Sequence, residues 1–292
     1  MEFFLNLFVN GISLGFLYAL SALGFVMIFK SSSVLNFAHG ELLAIGAFLF
    51  LVLSSWAGLP IILAFILTLV GSFVLGFIIE RLFLRPLIGE KLIHVIMLTV
   101  GLAAMFKGLL LFIFGGDIHD YPQFLPEDLS FEWGYIEIPS VHVASFFTGI
   151  LFLILFGFFF KYSSHGIYMR SVADNQLAAL SLGVHVRRVF ALSWGIAALV
   201  AAMSGVVLGI INGINVHELS SIGLKVFPVV ILGGLDSIGG AILGGVIIGL
   251  LETFTGGYIS TSLREIIPYI VLVFILMVKP YGLFGTEEIE RV

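Results

Sequence analysis

The sequence predicts an all-α integral membrane protein. It is expected to form a single transmembrane domain, residues 1–292, built as a polytopic bundle of about 8–9 helices with a re-entrant or broken helix near 224–237. Three observations carry that prediction. Hydrophobic residues make up 60% of the chain and charged residues only 11%, a balance that no water-soluble core of this length needs. The apolar residues gather into runs of about 20, the length with which a helix crosses a hydrocarbon core of ~30 Å. The runs also lack the period-2 alternation of a barrel strand, whereas a helix satisfies its own backbone groups in lipid.

The first run, 8–29, begins after Glu2 with no basic leader and no small-residue cleavage site, and is expected to be a retained helix. The second, 36–54, opens on "NFAHGE" and would be a helix of ~28 Å, one full crossing. Runs 60–80, 92–114, 142–160, 189–212, 238–255 and 265–279 complete the regular set. The stretch 224–234 is short, about 16 Å as a helix, and holds Pro228 before Gly233 and Gly234. It is expected to be a half-helix, a form tolerated at membrane depth only where protein or a cavity surrounds it. Beyond it, Gly240 with Gly244 and Gly245 with Gly249 are small-xxx-small pairs suited to close helix packing.

Charge gives the orientation. Residues 115–141 carry Asp117, Asp120, Glu127, Asp128, Glu132 and Glu137 with no Lys or Arg, whereas 161–188 carry Lys161, Arg170, Arg187 and Arg188 against Asp174 alone. The positive-inside bias makes the first loop external and the second cytoplasmic. Arg81, Arg85 and Lys91 agree, two crossings earlier. Counting along the chain puts the N-terminus outside and the C-terminus inside, provided that 224–234 counts as a crossing; acids weigh little in the rule, so Glu287, Glu288 and Glu290 do not overturn it. The external loop has alternating segments such as "WGYIEI" that suit a short hairpin, and its acids and aromatics are either an ordinary solvated surface or a docking surface for an external partner.

Three stretches are candidate sites. In the cytoplasmic loop, "MRSVADNQLAALSLG" has the composition of a short amphipathic helix ending at Gly183, either a rigid docking surface for a soluble partner or a helix lying on the membrane. The Gly233, Gly234 and Ser237 turn is either a structural re-entrant element or part of a translocation pathway. In "NFAHGE", with Asn36 as N-cap, Asn36 and His39 share one helix face with Gly40, Leu43 and Ala47, and Glu41 points elsewhere. Polar groups near lipid face the bundle interior by default, so Asn36, His39 and Glu41 are pathway candidates as well as a cap and a dipole-favoured acid. His39 and Glu41, two apart, do not converge on a metal, and no metal site is expected. His94, His119, His142, His165, His185 and His217 fall at segment ends and loops, and Lys107 and Lys225 are expected to snorkel.

Absences narrow the function. Cysteine is missing, so disulfides and thiolate metal sites are excluded. There is no G-x-x-x-x-G-K-[ST] phosphate loop, H-E-x-x-H or G-x-S-x-G, so no catalytic residue is expected and any ATP chemistry belongs to another subunit. An ATP-independent secondary transporter would want paired intramembrane charges, and Glu41, Asp236 and Glu252 show no evident basic partner in the sequence.

Several motifs act together. "NGISLGFLYALSALGFVMIFKSSSVLNFAHGELLAIGAF", "IERLFLRPL", "YSSHGIYMRSVADNQLAALSLGV", "VILGGLDSIGGAILGGVIIGLLE" and "KPYGLFG" follow one another over essentially the whole chain. In that order they resemble the membrane subunit of the branched-chain amino acid ABC importers. The order Leu177-Ala178-Ala179-Leu180-Ser181-Leu182-Gly183 is similar to the Glu-Ala-Ala-x-x-x-Gly coupling loop of such permeases, with Leu177 in place of the glutamate. The resemblance implies a bacterial inner-membrane importer with a second related permease, two cytoplasmic ATP-binding subunits that hold ATP and Mg, and a periplasmic substrate-binding protein. Lipid is then the remaining partner, with no role for nucleic acid. It implies leucine, isoleucine or valine as substrate, while some members take other amino acids and close relatives carry urea and short amides. It also implies that Gly166, Arg170, Asp174, Ala178, Ala179 and Gly183 belong to the loop that meets the ATPase.

Overall fold

The computed structural model describes residues 2–122, 130–133 and 136–285. In chain order the helices are α1 (Glu2–Ser32), α2 (His39–Leu51), α3 (Ile61–Ile79), α4 (Leu92–Phe114), α5 (Ser140–Tyr162), α6 (Ser164–Asp174), α7 (Gln176–Ser181), α8 (Val186–Asn212), α9 (Val216–Gly233), α10 (Ile238–Tyr258) and α11 (Thr261–Val278). Among the described residues eight helices are long and apolar enough to cross a membrane, and a ninth crossing follows if the pair α5–α6, bent by 69°, is one span. A single turn of wider, π-type helix extends α2 through Val52–Trp56, and another carries α3 through Glu80–Leu84. Arg81 and Arg85 therefore ride on the last turns of a helix, where the sequence suggested a loop.

The upper end of the bundle is marked by the backbone bridge between His119 and Ile214 and by Leu7 against Gly257. The strands β1 (Ser130–Trp133) and β2 (Ile136–Pro139) follow the first of these, antiparallel with Phe131 opposite Ile138 and Trp133 opposite Ile136, as the expected hairpin. Glu127 and Asp128 lie outside the described residues, as do Glu287, Glu288 and Glu290. The lower end collects α6, α7, the 234–237 turn and the C-terminal segment, whose Leu283 and Phe284 N–H groups donate to the carbonyls of Leu232 and Gly233.

Helices α1, α2, α8 and α9 form the buried centre, with Phe25, Leu43, Ala47, Trp194, Ala198 and Val226 in its packing. Helices α3, α4 and α11 turn apolar side chains outward, among them Ile62, Phe112 and Met277. Such rows are stable against lipid and against another apolar helix. Glycines set the closest approach. A Cβ at Gly15 would stand 2.6 Å from the Val246 Cα, and one at Gly245 2.6 Å from the Gly15 carbonyl oxygen, so α1 and α10 meet backbone to backbone. Gly240 and Gly244 do the same against α9, so the two glycine pairs of α10 serve two different neighbours.

The half-helix expected at 224–234 is corrected. The chain does break at 234–237, but α9 begins at Val216, where Asn215 Oδ1 accepts the His217 and Glu218 N–H groups as N-cap. Eighteen residues make a helix of about 27 Å, close to a full crossing. Polar residues in its first turns, His217, Glu218, Ser220 and Ser221, hid that half from a reading based on apolar runs.

Candidate functional site

The lower face is built by local capping. Ser163 Oγ accepts the Gly166 N–H and starts α6 directly after α5. Gly166 fits there because a Cβ would collide with the Phe160 carbonyl. The Arg170 guanidinium turns back onto the last carbonyls of α5, donating to Phe160 O and, at 3.1 Å, to Lys161 O, with its plane over the Phe160 ring at 5.5 Å. It satisfies groups that a helix end leaves open and faces a negative dipole end.

The expected single amphipathic helix is interrupted at Asn175, whose side chain caps α7 through the Ala178 N–H at 2.9 Å. The break has a physical cause: Asn175 is extended (φ −160°), and Asn competes with the helix through its own side chain. At the far end Gly183 has φ +84°, Val184 N–H donates to Ala179 O and Gly183 N–H to Leu180 O, the double bond pattern that ends a helix on a left-handed glycine. Ala179 is buried with Met169 and Val172 in a cluster shared with α1 and α8. Asp174, Ala178 and Gly183 are exposed, as are Leu177 (77%), Leu180 and Leu182 (82%). An apolar ridge thus stands on the lower end of the bundle.

At the opening of α2, His39 and Asn36 are fully buried. The helix starts at His39, later than expected: Asn36 Oδ1 accepts the Ala38 N–H at 3.0 Å and folds a turn ahead of the helix instead of being its N-cap. His39 Nε2 lies 2.9 Å from the Ser21 carbonyl, which can only accept, so Nε2 carries the proton and pins α2 to α1. Gly40 crosses Gly223 of α9 so closely that a Cβ would fall 2.5 Å from the Ser220 carbonyl. Glu41 is buried too, near Ser220 and within electrostatic reach of Lys107. The three residues gather at one level of the centre. Gly233, Gly234 and Ser237 instead sit at the lower end, in a turn closed by Ser237 capping α10 at Gly240, by Lys30 Nζ donating to Asp236 O at 2.9 Å, and by Gly234 (φ +109°) packed on Gly285.

A larger polar site escaped the sequence reading. Glu252 of α10 is 1% exposed and accepts from Tyr18 of α1 at 2.8 Å, from Lys225 of α9 at 2.9 Å and from Arg264 of α11 at 3.3 Å. Lys225 also reaches Glu265 at 2.8 Å. Lys225 therefore does not snorkel, and Glu252 is not without a basic partner. A lysine and a glutamate lodged in neighbouring apolar runs were the available signal, since intramembrane charges pair. Above this network, Tyr121 donates to the Ala47 carbonyl at 3.0 Å, and burial pushes its phenol pKa well above the usual value, which keeps the donor protonated.

The family model described as "Branched-chain amino acid transport system / permease component" matches residues 7–276. The chain belongs to this permease family. Among relatives, the permease is 31% identical to the high-affinity branched-chain amino acid transport system permease protein LivH of Escherichia coli K12, over 99% of this chain and 98% of that protein. It is 29% identical to BraD of Pseudomonas aeruginosa PAO1, a permease protein of the same described system, over the same shares. The solved structure of PsaBC from Streptococcus pneumoniae in complex with Fab matches the permease with a TM-score of 0.51 at 13% identity, covering 97% of this chain and 94% of that one, which shows a shared fold.

Proposed function

We propose that this permease is the membrane-spanning subunit of an ATP-driven importer for branched-chain amino acids. The observation that carries the reading is relatedness to LivH and BraD over 99% of this chain and 98% of each of those proteins. The chain has no phosphate loop of its own, so ATP and Mg belong to separate subunits. Its partners are a second permease, two ATP-binding subunits and an external binding protein.

The exposed ridge of Leu177, Leu180 and Leu182 supports α7 as the piece that enters a groove on the ATP-binding subunit. Ala179 faces inward and transmits force by seating α7 on the cluster of α1 and α8. Closure of the ATP-binding subunits then moves α6 and α7 together with the ends of α5 and α8, and the bundle alternates between outward and inward access. Nearness of charges favours one rival reading: the paired Lys225 and Glu252 are what an ATP-independent transporter would use.

One experiment separates them. The permease is expected to bring down an ATP-binding subunit on purification, and labelled leucine uptake in proteoliposomes is expected to require ATP and the external binding protein. Leucine transport by this chain alone without ATP would overturn the proposal. Uptake of urea in place of leucine would move the substrate to the short amides.

A further inference from the structure

The upper half of the bundle holds a recess of about 500 Å³ between α1, α8, α9, α10 and α11. Its floor is the Tyr18–Glu252–Lys225 network, and its rim carries Arg264, Glu265 and Glu218. Leu14, Leu208 and Ile222 supply apolar walls. We infer that this recess is a binding site for the free amino acid itself, holding the α-carboxylate on Arg264, the α-ammonium on Glu218 and Glu265, and the aliphatic side chain against the apolar walls. This rests on the reading of the permease as an amino acid importer.

The charges divide into a satisfied floor and an available rim. Glu252, with three donors on its two oxygens, is fully engaged, and Lys225 is divided between Glu252 and Glu265. Arg264 spends its Nε on Glu252, and its stem rests on Gly256, where a Cβ would stand 3.1 Å from the Arg264 Cδ. The terminal nitrogens of a guanidinium so anchored are the planar fork that matches a carboxylate. The side chain of Arg264 is 45% exposed and that of Glu265 62%, whereas Lys225 and Glu252 are 7% and 1% exposed, so polarity is graded from mouth to floor.

The balance of charge selects the ligand class. Two bases and three acids, nearly neutral together, suit a zwitterion better than a free anion or a metal cation. An uncharged amide has no use for the separated charges of Arg264, Glu218 and Glu265 at the mouth. Lys225 stands halfway along α9, so the site lies inside the bundle and on the side of the hairpin loop. Substrate choice is then made twice, once by the external binding protein and again by the permease.

The test uses the assembled complex of both permeases and the ATP-binding subunits in nanodiscs, without binding protein. Leucine is expected to raise the thermal midpoint in a saturable way, whereas leucinol, lacking the carboxylate, and 4-methylpentanoate, lacking the ammonium, do not. In the assembled complex, Arg264→Gln is expected to weaken half-saturation by leucine ~10-fold or more, the scale of one lost charge-assisted pair. If Arg264→Gln does not assemble, Glu218→Gln at the exposed mouth gives the same measurement. The site is overturned if leucine, leucinol and 4-methylpentanoate act alike, or if the variant binds leucine as tightly as the parent. Binding-protein-driven leucine uptake by the parent complex, run in parallel, tells the two failures apart: if uptake is intact, only the site is wrong, and if the complex carries urea but not leucine, the importer reading has failed with it.

Discussion

Glu252 is held by three donors from three other helices, so its neighbours are unequal in what their loss does. Lys225→Met removes the buried cation and leaves a carboxylate at 1% exposure, a change expected to cost about 3–5 kcal/mol. The pair Lys225→Met with Glu252→Gln is expected to recover most of that loss, which thermal unfolding of the purified complex in detergent would read. Equal destabilisation by the single and double variants would mean that the ion pair does not set stability there. Tyr121→Phe is a milder case. It removes one hydrogen bond to the Ala47 carbonyl and is expected to cost about 1 kcal/mol by the same measurement.

Element by element, the apolar runs could be read because lipid demands about 20 apolar residues in succession, and α4 was placed to the residue for that reason. The start of α9 could not, because its first turns carry His217, Glu218, Ser220 and Ser221, and a run-based reading treats each of them as a boundary. Asn36, His39 and Glu41 were picked out by polarity, and their burial around the start of α2 is what the interior-facing rule expects. Tyr18 gave no signal at all, since a tyrosine within an apolar run is ordinary until a carboxylate from residue 252 arrives beside it. The same logic applies to α7. Leu177→Glu and Leu182→Glu, on the exposed ridge, are expected to leave the permease folded and to cut co-purification of the ATP-binding subunit at least about tenfold, which is ~1.4 kcal/mol or more. Ala179→Arg, on the buried side, is expected to unseat α7 and to lower the unfolding temperature as well.

At the scale of the whole molecule, the two ends of the bundle differ in what they gather. The 115–121 segment is tied to the α8–α9 connection by the His119–Ile214 bridge and by Asn215 Nδ2 donating to Gly116 O at 2.8 Å, whereas α6, α7 and the 234–237 turn share the opposite end. With the lower end taken as cytoplasmic on the positive-inside bias, an impermeant maleimide is expected to label Asp117→Cys in intact cells and Leu182→Cys only after permeabilisation. The chain has no cysteine of its own, so each label reports one place. The reverse pattern would invert the orientation.

The tether between the C-terminal segment and the end of α9 also has a practical side. Leu283 and Phe284 satisfy the Leu232 and Gly233 carbonyls, and Gly285 lies under Gly234. An affinity tag or fluorescent protein fused directly after Tyr281 would replace that seam and strip the α9–α10 turn of its cover. The same fusion joined beyond Gly285 through a flexible spacer leaves the seam whole, and comparison of the two products by expression yield and monodispersity would show how much the final stretch of chain contributes to holding the lower end closed.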